Sequence, residues 1–216
     1  MEHDIGQYRV RFSIEASLEN HEDEFEHVLQ RIDGKIVLVG DDDREEIVGE
    51  VRGWRVLAGG HYDEAMDACD AIDGELVSYM NAIVDPDEEQ VRESVRAIVE
   101  DASQGVDTLI VELVKVGDGH RGIGVGLLAA MRFVQTFGAG CGYAIGKAFP
   151  LQFASLETIE MNATQKTAFR KLREHWGRMG FKRLGKNSNY MAINLDFVQP
   201  TIAEAMKSYE KRKRAA

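Results

Sequence analysis

Residues 107–135, DTLIVELVKVGDGHRGIGVGLLAAMRFVQ, decide how the chain is read. Thr108 to Val116 is a β-rich apolar run, GDGHRGIG is a polar loop, and from Val125 apolar residues recur at helical spacing. Such a strand–loop–helix passage leaves the first backbone N–H groups of the helix without intrahelical partners. The helix dipole adds partial positive charge at the same place. Glycines at 122, 124 and 126 keep side chains out of that space. The passage is therefore suited to gripping a phosphate, and it reads as the pyrophosphate site of a nucleotide-containing cofactor.

Two common phosphate motifs fit poorly. Gly124-Val125-Gly126-Leu127-Leu128-Ala129 has the GxGxxA form of a dinucleotide fingerprint, but the lead-in from Val116 to Gly124 is longer than that turn. The following strand also lacks the acidic residue expected about 20 positions on. No GxxxxGK[ST] is present, which excludes a Walker-type NTPase reading. The alternative for the glycines is close helix–strand packing alone.

Charge is unevenly spread. Residues 1–110 hold 29 acidic and 9 basic side chains, a balance of −20, whereas residues 111–216 hold 8 and 17, a balance of +9. A basic half around the glycine loop suits a polyanionic ligand, and an acidic half suits a cationic substrate or partner. Mutual neutralisation of the two halves is the competing explanation. Cys69 and Cys141 have no metal or redox spacing and read as buried thiols of a reducing, cytoplasmic compartment. No apolar run approaches the ~20 residues needed to span a bilayer. The opening MEHDIGQYRV has no secretory signal character.

In chain order, residues 7–16 alternate as a strand. A helix is expected over HEDEFEHVLQRI, capped by Asn20 with Phe25, Val28, Leu29 and Ile32 inward. His21, Glu24 and His27 in that segment are better explained as a solvated face than as metal ligands. KIVLVG (35–40) and EIVGEVRGWRVL (46–57) are strands about the turn DDDRE. Helical spacing runs from 61 to 103, with Gly74 weakening the first helix, Pro86 breaking the run, and Asp87 capping a second helix that carries Val91 and Val95. Later come a strand at 142–148, a basic helix over 163–178 closed by Gly180, the strands FKRLG and NYMAINLD, and a C-terminal helix opened by Pro200. The expected fold is an α/β layered domain with one right-handed crossover at its centre.

Arg121-Gly122-Ile123-Gly124-Val125-Gly126 resembles the [QR]xxGx[GA] loop of the GCN5-related N-acetyltransferase (GNAT) superfamily. Val116 occupies the apolar position that ends the preceding strand, and His175-Trp176-Gly177-Arg178-Met179-Gly180-Phe181 resembles the family's YxxxGF passage. The resemblance spans about residues 107–196. It implies a GNAT-like mixed, mostly antiparallel central sheet with a β-α-β acetyl-CoA-binding core, flanked by helices. The chain would be a single acyltransferase-like domain over 1–216: acidic strands and a helical pair (1–106), the cofactor-binding core (107–196), and a C-terminal helix (197–216).

The resemblance further implies acetyl-CoA held in a V-shaped gap beside the central strand. Backbone groups of Gly122, Gly124, Val125 and Gly126 would take the pyrophosphate, Arg121 would add a charge-assisted contact, and Val114 and Val116 would offer main-chain groups to the pantetheine arm. Attack by a primary amine needs a base, and Glu112 is the candidate, two and four residues from Val114 and Val116 and so expected on their face. A strand glutamate paired with an arginine is the structural alternative. Where the family has a tyrosine to protonate the thiolate stands Trp176, whose indole is no practical acid. His175 and Tyr190 are the substitutes. Phe169 also replaces an asparagine usual in the family, and the helices at 61–103 fall before the central strand rather than between the first two strands. The expected activity is direct acetyl transfer to a small-molecule or protein amine, without nucleic acid or membrane partners and with a possible homodimer. The second reading is a non-catalytic interaction module whose acidic half docks a basic partner.

Overall fold

The computed structural model describes residues 4–14, 25, 27–59, 62–85, 87–88, 90–99, 107–151, 162–186, 188–196 and 200–213. In chain order the elements are β1 (Tyr8–Ile14), β2 (Leu29–Val39), β3 (Glu45–Val56), α1 (Tyr62–Ile72), α2 (Gly74–Ile83), β4 (Val84–Asp85), β5 (Gln90–Val91) and α3 (Glu93–Val99). There follow β6 (Thr108–Val116), α4 (Val125–Phe137), β7 (Tyr143–Lys147), α5 (Ala163–Gly177), β8 (Lys182–Arg183), β9 (Tyr190–Asn194) and α6 (Ile202–Lys213). Seven strands form one sheet in the order β1-β2-β3-β6-β7-β9-β8, while β4 and β5 make a small separate pair. Every pairing in the large sheet is antiparallel except β6 with β7. The architecture is thus the mixed, mostly antiparallel α/β sheet expected, with a β-α-β unit at its centre.

Helices cover both faces because both faces are apolar. On one, α1 and α2 bury Ala65, Cys69, Leu76, Tyr79 and Met80 against Val56, Ile110, Tyr143 and Ile145. On the other, α4 buries Leu127, Met131, Phe133 and Val134 against Ile32, Val51, Leu109, Val111 and Ala144, and Trp176 of α5 and Ala205 of α6 extend that core. Full burial of a side chain such as Phe133 contributes about 1.5–3 kcal/mol. Helix starts follow local chemistry. The Asp73 carboxylate accepts from the Glu75 N–H at 2.9 Å, and Asn162 and Gln165 form a reciprocal capping box that opens α5.

Three expectations are corrected. Leu29 and Ile32 belong to the long strand β2, not to a helix over 21–32; extended pairing with β1 and β3 buries Ile32 and outweighs the local helical spacing. Asn20, His21 and Glu24 lie outside the described residues, and the His27 imidazole instead meets Glu64 at 2.8 Å. The helical run at 61–83 is two helices, because Asp73 caps a new one at Gly74. Val91 sits in β5 rather than in a helix capped by Asp87, and α3 begins at Glu93.

Candidate active site

The centre of the sheet opens into a fork. Strands β6 and β7 pair in parallel from Thr108 with Tyr143 to Val111 with Gly146, and the pairing stops there although β6 runs on to Val116. Beyond Val111 the β7-facing edge of β6 is unpaired by that strand. A bulge falls at the same point. On the β3 side Gly53 pairs with Val111 and Arg52 with Leu113, so Glu112 is the extra residue. Bulges bend the strand and re-aim one side chain. Here the bulge turns Glu112 away from Val114 and Val116, which corrects the expectation that all three share a face. Val114 and Val116 pack toward α4, whereas Glu112 lies with Ile110 and Trp54 on the side of α1 and α2.

The glycine loop sits at the open end of the fork. Gly122 and Gly124 have φ of 81° and 95°, a left-handed conformation that other residues adopt only with strain. Gly124 is the N-cap of α4 and supplies no side-chain cap, so the first N–H groups of that helix point into the loop's hollow. A Cβ on Gly126 would stand 3.3 Å from Val116 and 3.7 Å from Val114, so this glycine lets α4 approach β6 closely. Arg121 is already engaged. Its Nε donates to the Val116 carbonyl at 2.7 Å, and Nη1 lies 2.6 Å from Asp118. His120 Nδ1 and the Tyr8 hydroxyl stand 2.9 Å apart, which ties the loop to the edge strand.

Between β6, the loop and α5 runs a groove of about 540 Å³. Val114, Val116, Gly122, Gly124, Val125 and Gly126 line it, and its charged or titratable lining is Lys115, His120, Arg121, Lys171 and His175. Among the described residues no carboxylate faces it. A smaller cavity of about 120 Å³ continues into the fork and is lined by Glu112, Lys147, Phe149, His175 and Trp176. Another space of about 440 Å³ lies between β1, α4 and α6, with a largely apolar lining plus Arg9 and Arg132. Among the described residues it is lined by no carboxylate, cysteine or histidine to run a reaction.

The Glu112 carboxylate accepts from the Trp54 indole N–H at 2.9 Å and faces Arg52 Nη1 at 3.7 Å. The arginine-paired alternative is therefore realised in part, but about 29% of the carboxylate side chain remains exposed toward the cavity. Trp176 is buried with the outer edge of its ring against β7: a Cβ at Gly146 would stand 2.2 Å from it. It meets Phe181 edge-on at 4.8 Å. The indole thus acts as a wedge under the last rung of the fork. Phe169 is buried and meets Phe149 edge-on at 5.2 Å.

His175 lines both the groove and the fork cavity. Burial, with the nearby Arg178, lowers its imidazole to about 4, so at neutral pH it is uncharged and exchanges hydrogen bonds rather than donating a proton as imidazolium. Because the folded value is depressed below the ordinary 6.5, the associated stability is complete above pH 6.5 and lost as pH falls toward 4. Thermal melts from pH 7 to 4 should show this acid slope, and His175→Gln should flatten it. Tyr190 is removed from the groove. It lies on β9, edge-on to Tyr79 at 5.3 Å, and lines a separate open hollow with Ser78, Asn81 and Arg92. Cys141 and Cys69 are both buried, and burial raises both thiols, Cys69 to about 12, so neither is a ready nucleophile.

Sequence reasoning missed Arg52, Trp54 and Lys147. The first two could have been found only from strand register. Lys147, at the end of β7, binds Glu75 of α2 at 2.8 Å and faces the fork. Among the described residues no group of acidic, histidine or cysteine side chains is arranged to hold a metal. Nor is any described helix long and apolar enough to cross a membrane.

No protein-family model matches this sequence, and no curated protein matches it either. Among solved structures, the chain is similar to the KacTA–DNA complex at 11% identity, covering 96% of this chain and 100% of that one with a TM-score of 0.41. It is similar to a mutant of KacT at 13% identity, covering 95% and 98%, again with a TM-score of 0.41. Likeness at that level decides neither ligand nor activity. Both rest on the geometry above.

Proposed function

We propose that the protein is an acetyl-CoA-dependent N-acetyltransferase that acts on a primary amine by direct attack. The observation that carries this reading is the fork at Val111 and Gly146, which opens into a groove whose charged lining among the described residues is cationic or imidazole and which ends at an uncapped, glycine-lined helix start. That arrangement matches the needs of a long, polyanionic thioester. Backbone N–H groups around Gly122 to Gly126 take the pyrophosphate, and Lys115 and Lys171 add positive charge. The unpaired edge of β6 near Val114 offers main-chain groups to the amide-bearing arm, in the manner of an added strand. The Val116 carbonyl is taken by Arg121, which makes Arg121 a brace of the loop as well as a charge beside it.

Glu112, aimed by the bulge, takes the proton from the attacking amine directly or through water, and Trp54 and Arg52 position it. The acceptor enters from the α1 and α2 side, whose helix starts carry Asp63, Glu64 and Glu75, with Glu75 tied to Lys147 at the fork, and such an acidic side suits a cationic amine. The buried cysteines favour direct attack over an acyl-enzyme.

Calorimetric titration with acetyl-CoA should give a dissociation constant on the order of micromolar. Gly122→Ala should weaken binding about tenfold with the fold intact, because its Cβ meets nothing within 4 Å while its φ of 81° is strained for alanine. No binding by the unaltered protein would remove the assignment. Binding without thiol release across polyamines, aminoglycosides and lysine peptides would leave the docking reading in its place.

A further inference from the structure

We infer that Lys147 is the cation that receives the departing thiolate, standing opposite Glu112 across the fork. The inference rests on the acetyl-transfer reading above. Ile110 and Ile145 form a rung of the parallel pairing, so two residues further on Glu112 and Lys147 come abreast on the same side of the sheet. Both line the small cavity where β6 and β7 part. They are not ion-paired with each other. Trp54 and Arg52 hold Glu112, and Glu75 holds Lys147 at 2.8 Å. Opposite charges fixed to opposite walls of a narrow cavity leave a slot for a neutral group that separates charge as it reacts.

The ammonium is also placed by aromatic faces. Lys147 Nζ lies 5.9 Å from the Phe149 ring centre and 5.8 Å from that of Tyr190, positions in which ring quadrupoles favour a cation. Tyr190, whose ring packs against Lys147, lines the separate hollow with Ser78 and Asn81 and not the fork cavity, and the other donors that line or flank that cavity are poor. The Trp176 indole holds its N–H too tightly, neutral His175 has no imidazolium proton to give, and the Tyr79 hydroxyl is pushed far above the usual phenol by burial and by Glu75.

The step balances without any further reactant. The amine nitrogen forms a bond to the acetyl carbonyl carbon, the carbon–sulfur bond breaks, and the electron pair goes to sulfur. Glu112 takes one proton from nitrogen and Lys147 gives one to the thiolate. Water exchange then returns both groups to their starting states, leaving the amide and the free thiol.

The test compares steady-state kinetics and acetyl-CoA calorimetry for the unaltered protein, Lys147→Met, Lys147→Arg and Glu75→Gln. Lys147→Met should lower kcat on the order of 100-fold with acetyl-CoA affinity nearly unchanged. Lys147→Arg, which keeps the charge, should recover kcat to within about tenfold of the unaltered protein. Glu75→Gln cuts the tether but keeps the ammonium, and should cost clearly less than Lys147→Met. Full turnover in Lys147→Met, or equal losses in Glu75→Gln and Lys147→Met, would overturn the inference by reducing Lys147 to a strut. Should Lys147→Met melt early, the arginine and Glu75 variants decide the matter, since loss in arginine with turnover kept in Glu75→Gln excludes charge stabilisation. Absence of acetyl-CoA binding by the unaltered protein marks failure of the acetyl-transfer reading instead.

Discussion

Glu112→Gln should lower turnover by about 100-fold to 1,000-fold while leaving acetyl-CoA affinity and melting temperature nearly unchanged. The amide keeps the side chain's shape and can still accept from the Trp54 indole, so the bulge keeps its local support. The lost interaction with Arg52 is a partly exposed pair at 3.7 Å, worth at most about 1 kcal/mol. What disappears is the capacity to take a proton from the amine at the moment it attacks. Coupled detection of the released thiol over a range of amine concentrations measures kcat and KM separately. A kcat within threefold of the unaltered protein would assign Glu112 to holding Arg52 and Trp54 in place, and the base would have to be sought elsewhere.

The second large effect is structural. Gly146→Ala should destabilise the fold by about 1–3 kcal/mol, the usual cost of overpacking a core that cannot yield. The added Cβ would stand 2.2 Å from the far edge of the Trp176 ring, and that ring is held against Phe181 in the same core. Moving Trp176 shifts the wedge under the last rung between β6 and β7, so the variant should also bind acetyl-CoA more weakly. Trp176→Phe shortens the ring and should relieve the clash. The double variant should therefore be less destabilised than the sum of the two single ones, as judged by urea denaturation. Additive losses would mean that the ring does not rest on Gly146.

Much of the centre of this protein is legible in one stretch. A β-rich run, three spaced glycines and a helical apolar period specify strand, loop and helix, because each is a local preference of the backbone. The strands at 143–147 and 190–194 and the helix over 163–177 are legible for the same reason. Leu29 and Ile32 mislead, since their helical spacing is overridden by pairing with β1 and β3, a non-local gain. Val91 misleads likewise: β4 pairs with β5, and the helix is delayed to Glu93.

By itself the sequence determines the glycine loop, the uncapped helix that follows it, the presence of Glu112 near the end of the central strand, and the want of a tyrosine at Trp176. These depend on residue identity and short spacing. Only the tertiary structure decides that Glu112 and Val114 lie on different faces, because Glu112 is the extra residue between the Gly53 and Arg52 pairings and the alternation changes phase after it. Only the structure brings Lys147 abreast of it, because the register between parallel strands is set by the core on both faces and not by either strand alone. The proposed cofactor grip is written locally, whereas the groups proposed to react, Glu112 and Lys147, come to one cavity only once β6 and β7 are paired as far as Val111 and then parted.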